Sequence, residues 1–242
     1  MFYLVGLGLR EAKDISVKGL EIVKKADEVY AEFYTSLNES KEVLESFFGR
    51  KIKVLSRNEV EVGFRDILLK AKDKEIVLLV AGDPLSATTH ISLLMDAKDL
   101  GVEFEVVHGS SIFTAVAETG LQLYKFGYTV SIPFDEKVTS FAERIKFNMK
   151  NGLHTLCLLD LDPVSGKFLR AGEALKRLVK LGVLTEDNKV VVLHDLGGRN
   201  KVIKYDFVKN LLEFDVGDGL EAIVVPGELH FVEEEALEKL YG

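Results

Sequence analysis

Three short glycine-containing turns carry the residue types in this sequence that could bind a small ligand. They are Gly6-Leu7-Gly8-Leu9, Gly82-Asp83-Pro84 and His108-Gly109-Ser110-Ser111, and each follows a run of apolar residues typical of a buried strand. Ligands of open parallel sheets bind beyond the carboxyl ends of the strands, where such turns lie. Glycine allows a ligand to approach the backbone closely. The three turns therefore predict a single binding rim.

The first turn does not match the phosphate-binding patterns of nucleotide enzymes. A dinucleotide fingerprint that begins at Gly6 and Gly8 requires a third glycine at position 11, where this chain has Glu11. The chain contains no G-x-x-x-x-G-K-[ST] sequence, which excludes a P-loop NTPase. Glu32 stands about 20 residues further on, as a ribose-binding acid would, but a charge at a strand end is the more frequent reason for such a residue.

The charge of the turns favours a cationic ligand over a phosphate. Few basic residues stand near them, and the Asp83 carboxylate would repel an anion. An adenosyl group that carries an amino acid and a positive sulfonium suits these turns better than a phosphate does, because its hydroxyls and amine bind carboxylates and backbone carbonyls.

Metal and thiol chemistry have little support in the sequence. No two histidines stand at H-x-H or HExxH spacing, so no metal site is predicted. The histidines are His90, His108, His154, His194 and His230. The single cysteine, Cys157, stands in the apolar run 153–161 and is expected to be a buried strand thiol.

Alternating strands and helices must position the turns. Continuous apolar strands that alternate with helices indicate a parallel sheet covered on both faces. The predicted strands are 2–5, 29–33, 52–55, 76–80 and 104–107, and the predicted helices are 16–25, 41–48, 58–72, 87–100 and one that begins at Ser110.

Beyond residues 120–129 the strands are more closely spaced, which suggests a mixed sheet. The predicted strands there are 153–161, 189–193 and 221–225, and the predicted helices are 137–150, 171–181, 206–212 and 232–241. We therefore predict two α/β domains, residues 1–119 and 120–242, with a ligand cleft between them.

The composition limits the class of protein. The chain has 242 residues, 47% of them hydrophobic, which excludes a disordered chain. Its formal net charge of −8 offers no general attraction for nucleic acid, so no nucleic-acid partner is expected. No apolar run approaches the roughly 18 residues that a membrane span needs. We expect a globular protein of the cytoplasm.

Longer stretches around the turns resemble the diphthine synthases. The matching stretches are GLGLREAKDISVKGLEIVKKADEVYAEFYTS, AGDPLSATTH, HGSSIFTAV, GLHTLCLLDLD and VPGELHFVE, which follow in the family's order across residues 1–230. The GLGL turn alone is weakly specific, whereas GDPLxATTH together with AEFYTS is highly specific. Diphthine synthases belong to the tetrapyrrole-methylase-like class of methyltransferases.

The resemblance implies a fold, a donor and an acceptor. The family has two α/β domains, forms homodimers and uses S-adenosyl-L-methionine, which leaves as S-adenosyl-L-homocysteine. The acceptor would be the amino group of the 3-amino-3-carboxypropyl-histidine of translation elongation factor 2, methylated to diphthine in diphthamide biosynthesis. Methyl transfer to an amine depends mainly on proximity and orientation, so we name no catalytic residue.

The resemblance also implies positions for donor binding, in the interdomain cleft. They match the family's contacts at Leu9, Asp83, Ser86, Ser111, Ile112, Leu159, Leu196 and Glu221.

The sequence departs from the family's pattern at several places. Segment 131–140 is short and lacks a tryptophan, Asp195 lies where relatives have a cation-bearing stretch, and Glu221 stands where many have histidine. A methyltransferase of the same fold that acts on a precorrin or another small acceptor is one alternative. A non-catalytic adenosyl-ligand-binding module is the other, and the changes at Asp195 and Glu221 keep it open.

Overall fold

The computed structural model of the chain describes residues 1–36, 39–163 and 165–242. The chain divides into two compact units, Met1–Phe113 and Thr114–Gly242. The sequence predicted this division six residues later, after residue 119. In the part of the chain that is described, no helix is both long and apolar enough to cross a membrane.

The first unit is a parallel sheet with helices on both faces. Its strands are β1 (Phe2–Gly6), β2 (Glu28–Glu32), β3 (Ile52–Leu55), β4 (Ile76–Val80) and β5 (Phe104–Val107). Its helices are α1 (Val17–Lys25), α2 (Lys41–Phe48), α3 (Arg57–Glu61), α4 (Arg65–Lys70) and α5 (Ile91–Asp99). Within the described residues the strand order is β3-β2-β4-β1-β5, and every neighbouring pair is parallel, as predicted.

Burial of β4 explains why its sequence is apolar throughout. All five of its residues are buried. Leu78 and Val80 belong to one hydrophobic cluster, and Val77 and Leu79 to a second cluster. Successive side chains of a strand point to opposite faces, so the two clusters are the cores on the two sides of the sheet.

Two helices of the first unit differ from the prediction. The predicted helix 58–72 is two helices, α3 and α4, and the break falls at Gly63, a residue that weakens helices. The predicted helix 87–100 begins only at Ile91, because Ala87 has a φ of 58° and the left-handed backbone cannot continue a right-handed helix. The residues between Pro84 and His90 form a loop at the rim.

The second unit contains a mixed sheet. The helices that follow α5 are α6 (Ile112–Ala115), α7 (Ser140–Lys150), α8 (Ala171–Lys180), α9 (Val208–Leu211) and α10 (Phe231–Tyr241). The strands are β6 (Val130–Ile132), β7 (Thr155–Leu159), β8 (Leu161–Asp162), β9 (Lys167–Phe168), β10 (Lys189–His194), β11 (Val202–Phe207) and β12 (Glu221–Val225). Among the described segments the sheet order is β11-β10-β12-β7-β6, with β6 and β7 parallel and the other pairs antiparallel.

Four features of the second unit were not predicted. The first is strand β11, whose last two residues, 206 and 207, were expected to begin a helix. β6 is only three residues long and alternates buried and exposed positions, too short a run to give a clear strand signal. The predicted strand 153–161 is interrupted after Leu159, where the chain turns into the two-stranded pair β8-β9. The helix expected to start at Ser110 is the single turn α6.

A buried carboxylate fixes α10 against the rest of the second unit. Glu233 is fully buried, and its Oε1 accepts hydrogen bonds from the Gln122 backbone at 2.8 Å and from His154 Nε2 at 3.1 Å. Its Oε2 accepts from the His230 backbone at 2.8 Å and from the Lys125 ammonium. Burial raises the pKa of Glu233, but these hydrogen bonds lower it by a larger amount. The net pKa of Glu233 is about 2.

Glu233→Gln is expected to destabilise the protein by about 3 kcal/mol at neutral pH, because Lys125 then loses a buried partner. The lowered pKa of Glu233 means that its contribution is present above pH 4.5, the ordinary value, and is lost as the pH falls toward about 2. The free energy of unfolding, measured by urea denaturation from neutral to acid pH, should therefore differ most between the two proteins at neutral pH.

Glu234→Gln is the matched control, since it removes the same charge one residue along the same helix from an exposed side chain. It should change the free energy of unfolding little. Equal losses in the two variants would contradict the role of Glu233.

Candidate functional site

The turns that follow β1 and β4 are joined by hydrogen bonds. The backbone N–H of Gly8 donates to the Gly82 carbonyl at 3.2 Å, and the N–H of Gly82 donates to the Gly8 carbonyl at 2.8 Å. Both glycines have positive φ, 84° and 73°, which allows the chain to turn back at this point.

The turn that follows β5 packs against the same backbone. A Cβ atom at Gly109 would lie 2.5 Å from the Gly82 carbonyl oxygen. A Cβ at Gly6 would lie 2.6 Å from that oxygen and 2.7 Å from the Gly109 nitrogen. Real Cβ atoms do not come so close, so Gly6 and Gly109 must both lack a side chain here. The structure therefore brings the three predicted turns together at one rim.

The Asp83 carboxylate organises this rim. Its Oδ1 accepts hydrogen bonds from the Leu85 N–H at 3.0 Å and the Ser86 hydroxyl at 3.2 Å. Its Oδ2 accepts from His108 Nδ1 at 2.7 Å and the Gly109 N–H at 3.3 Å. Burial raises the pKa of Asp83, but these hydrogen bonds lower it by a larger amount. The net pKa of Asp83 is therefore below its ordinary value. The carboxylate therefore stays ionised and holds two loops in register.

The other predicted donor contacts of the first unit lie on the same turns. Leu9 and Ser86 are partly buried, and Ile112 is partly exposed at the start of α6. Ser111 is buried, and its hydroxyl accepts a hydrogen bond from the Phe113 N–H at 3.3 Å. A Cβ at Gly82 would lie 3.8 Å from the Ser111 Cβ, which places Ser111 beside the second turn.

Glu32 is a structural residue in the loop that follows β2. It is fully buried, and its Oε2 accepts hydrogen bonds from the backbone of Tyr34 and Thr35, both at 3.1 Å. Its Oε1 accepts from the Thr35 hydroxyl. Burial raises the pKa of Glu32.

His90 connects this loop to the loop that follows β4. Its Nδ1 lies 3.2 Å from the Pro84 carbonyl, which can only accept, so Nδ1 carries the hydrogen. Its Nε2 is then the acceptor for the Tyr34 hydroxyl at 3.4 Å. Burial lowers the pKa of His90, which keeps the imidazole neutral. The stretches that carry AEFYTS and ATTH are thus in contact.

The predicted donor contacts of the second unit lie at the same end of three neighbouring strands. Leu159 is the last residue of β7, Leu196 follows β10, and Glu221 opens β12, which is antiparallel to both strands. Leu159 and Leu196 are buried. The structure therefore places these three residues at the same end of three neighbouring strands, and their contact with a donor stays a prediction.

The Glu221 carboxylate is engaged within the second unit. Its Oε2 accepts a hydrogen bond from the Ala171 N–H at 2.6 Å, at the start of α8. Its Oε1 lies 3.4 Å from Arg170 Nη1 and 3.4 Å from His194 Nδ1. A carboxylate at a helix N-terminus is stabilised by the helix dipole. The side chain therefore anchors α8, a role that the sequence pattern did not indicate.

The turn after β10 is strained. Asp195 has a φ of 45°, a left-handed conformation that non-glycine residues rarely adopt. Its carbonyl accepts a hydrogen bond from the Gly198 N–H at 2.7 Å, which closes a turn with Leu196 and Gly197 at its centre. In the described segments, no group of three or more potential metal ligands is found.

A family model described as tetrapyrrole (corrin/porphyrin) methylases matches residues 1–211. Together with the two sheets and the glycine rim, this match defines the class: the chain is a methyltransferase of the tetrapyrrole methylase type.

Individual relatives narrow the class. The diphthine synthase of Methanocaldococcus jannaschii is 44% identical over 254 residues, covering 99% of this chain and 98% of its own. That of Methanococcus aeolicus is 42% identical over 252 residues, with the same coverage of 99% and 98%. A crystal structure of diphthine synthase has a TM-score of 0.93 at 39% identity, covering 99% of this chain and 95% of the other. The chain belongs to the diphthine synthase family, which confirms the resemblance seen in the sequence.

Sequence reasoning did not identify the partners of two histidines. His108 contacts Asp83, and His90 contacts Tyr34 and Pro84. A signal was present, because each histidine follows or accompanies a turn at the carboxyl end of a parallel strand, where side chains from different strands meet. The strand order, which decides which turns are neighbours, was not available from the sequence.

Gly109→Ala is expected to lower the free energy of unfolding by about 2 kcal/mol, because the new Cβ would overlap the Gly82 carbonyl and the backbone must shift. Gly101→Ala is the comparison, since a Cβ there meets no atom within 4 Å and only the φ of 68° opposes it. Its cost should be about 1 kcal/mol. Differential scanning calorimetry of both variants measures the difference, and a smaller loss for Gly109→Ala would contradict the close packing of the rim.

Proposed function

We propose that this protein transfers methyl groups from S-adenosyl-L-methionine to the amino group of the 3-amino-3-carboxypropyl-histidine of translation elongation factor 2. The product would be diphthine, in diphthamide biosynthesis. The observation that carries the proposal is the glycine rim organised by Asp83, in a chain that matches diphthine synthases over almost its whole length.

The residues of the rim fit an adenosyl donor. Because Gly6 and Gly109 lack a Cβ, their turns pack against the Gly82 carbonyl, and the backbone groups of three turns then lie together where a polar ligand would bind. The ionised Asp83 carboxylate lies at the same rim and favours a cation over a phosphate. When bound, the donor supplies a methyl group on a positive sulfonium.

The chain's own residues would hold the donor and exclude water. We propose that Leu9, Ser86, Ser111 and Ile112 contact it from the first unit, together with the loop that Asp83 shapes. Leu159, Leu196 and Glu221 are the proposed contacts of the second unit. The buried leucines would contribute apolar surface, and the Glu221 side chain would act through α8, since its carboxylate oxygens already have partners.

Asp83→Ala is expected to weaken donor binding by about tenfold or more, because the variant loses the hydrogen bonds that hold the second and third turns together. Isothermal titration calorimetry with S-adenosyl-L-homocysteine measures the change. Asp66→Ala is the matched control, since Asp66 is an exposed residue of α4 in the same unit. Unchanged affinity in Asp83→Ala would count against the role of Asp83 in donor binding.

The acceptor is tested with elongation factor 2 that carries the aminocarboxypropyl histidine. After incubation with the protein and S-adenosyl-L-methionine, mass spectrometry should show successive gains of about 14 Da on that histidine, as expected for pre-organised methyl transfer. The number of gains counts the methyl groups.

Two other outcomes would overturn the proposal. No gain in mass, with S-adenosyl-L-homocysteine still bound, would move the acceptor to another molecule such as a precorrin. No gain and no binding would indicate a chain without methyl-transfer activity.

A further inference from the structure

The rim contains an aspartate–histidine pair whose imidazole is not among the proposed donor contacts. His108 Nδ1 lies 2.7 Å from Asp83 Oδ2. The Asp83 side chain is 12% exposed, whereas the His108 side chain is 70% exposed. The carboxylate is therefore inside the rim and the imidazole projects from it.

The pair determines which imidazole nitrogen carries the hydrogen. An ionised carboxylate can only accept hydrogen bonds, so the short contact requires Nδ1–H as the donor. In a neutral imidazole the other nitrogen, Nε2, then has a free lone pair. Across the residues that the structure describes, Nε2 of His108 has no hydrogen-bond partner in the protein.

The orientation of the imidazole is fixed by the fold. Asp83 follows β4 and His108 follows β5, and these strands lie on either side of β1 in the sheet. The carboxylate itself is held by the N–H groups of Leu85 and Gly109 and by the Ser86 hydroxyl. A group held in this way from two strands is pre-organised for chemistry.

Methyl transfer to an amine requires a proton acceptor for each methyl group. An alkyl amine is protonated near neutral pH, and an ammonium nitrogen has no lone pair with which to attack a methyl group. A histidine beside a buried carboxylate is a common solution in catalysis, because the carboxylate orients the imidazole and stabilises the imidazolium that forms.

We propose that His108 is the general base of the reaction and that Asp83 is its positioning residue, an inference that rests on the proposed function. His108 Nε2 takes a proton from the acceptor ammonium, breaking its N–H bond and leaving a nitrogen lone pair. The lone pair forms the C–N bond as the C–S bond breaks, and the bonding electrons remain on sulfur in the neutral thioether. The imidazolium then releases its proton to water before the next methyl transfer.

His108→Gln tests the base, because glutamine retains an N–H donor for Asp83 and has no basic nitrogen. We expect kcat/KM for methylation of elongation factor 2 to fall by about 10²–10⁴-fold. Affinity for S-adenosyl-L-homocysteine, measured by calorimetry, should stay within about twofold of the wild-type value, since His108 is not a proposed contact of the donor. His230→Gln is the matched control, since the His230 side chain is exposed at the start of α10 and is neither a proposed donor contact nor a partner of Asp83.

Chemical rescue separates a base from a structural partner of Asp83. His108→Ala should lose activity, and added imidazole should restore part of it in proportion to the concentration of the neutral form. A stable His108→Ala protein that binds S-adenosyl-L-homocysteine and gains nothing from imidazole would contradict the proposal.

The tautomer can be measured without any substrate. In protein labelled with ¹⁵N-histidine, NMR should show His108 protonated at Nδ1 at a pH where the imidazole is neutral, the less common tautomer of free histidine. Asp83→Asn should increase the population protonated at Nε2. Protonation of wild-type His108 at Nε2 would overturn the assignment.

The outcomes distinguish the two proposals. If the wild-type protein methylates elongation factor 2 and His108→Gln does so equally fast, the role of His108 is wrong and the proposed function stands. If the wild-type protein methylates nothing on elongation factor 2, the proposed function and the acceptor-dependent role of His108 both fail, whatever the tautomer.

Discussion

The close packing of backbone around the Gly82 carbonyl oxygen is the constraint on which the rim depends. A Cβ at Gly6 would lie 2.6 Å from this oxygen and one at Gly109 would lie 2.5 Å from it, closer than a side chain permits, and the Gly8 N–H donates a hydrogen bond to it at 3.2 Å. Only after three turns are brought so close can one carboxylate, Asp83, accept hydrogen bonds from two of them. The position of His108 follows in turn from that carboxylate.

The architecture of the first unit was predictable because its physical signals are local. Continuous apolar strands such as Ile76–Val80 are buried on both faces, and each is bounded by glycine or a helix cap. The predicted bounds of β4 agree with the structure for this reason, and those of α2 agree because Ser40 and Gly49 cap the helix. The bounds of β3 and β5 agree as well, although both strands are partly exposed. The failures at Gly63 and Ala87 concern a glycine break and a left-handed residue, whose backbone angles are set by neighbouring loops.

The position of the candidate site was predictable from the sequence, but the partners of its charged side chains were not. The resemblance placed its residues on the turns, and the convergence of those turns is seen in the structure. The partners of the charged side chains were not predictable, because they depend on strand order and on residues far apart in the chain. Glu221 binds the start of α8, and Glu32 closes its own loop, so both carboxylates have structural partners that no spacing rule describes.

The place of β5 at the edge of its sheet has a consequence for the Asp83–His108 pair. Asp83 follows the inner strand β4, whereas His108 follows the four-residue strand β5, which among the described strands pairs with β1 alone. Edge strands open locally at a smaller free-energy cost than the core of a sheet. A transient separation of β5 would part the pair and return the imidazole to its ordinary tautomer while the rest of the unit stays folded. The fraction of molecules with an oriented imidazole would then report the local stability of one short strand rather than that of the whole protein.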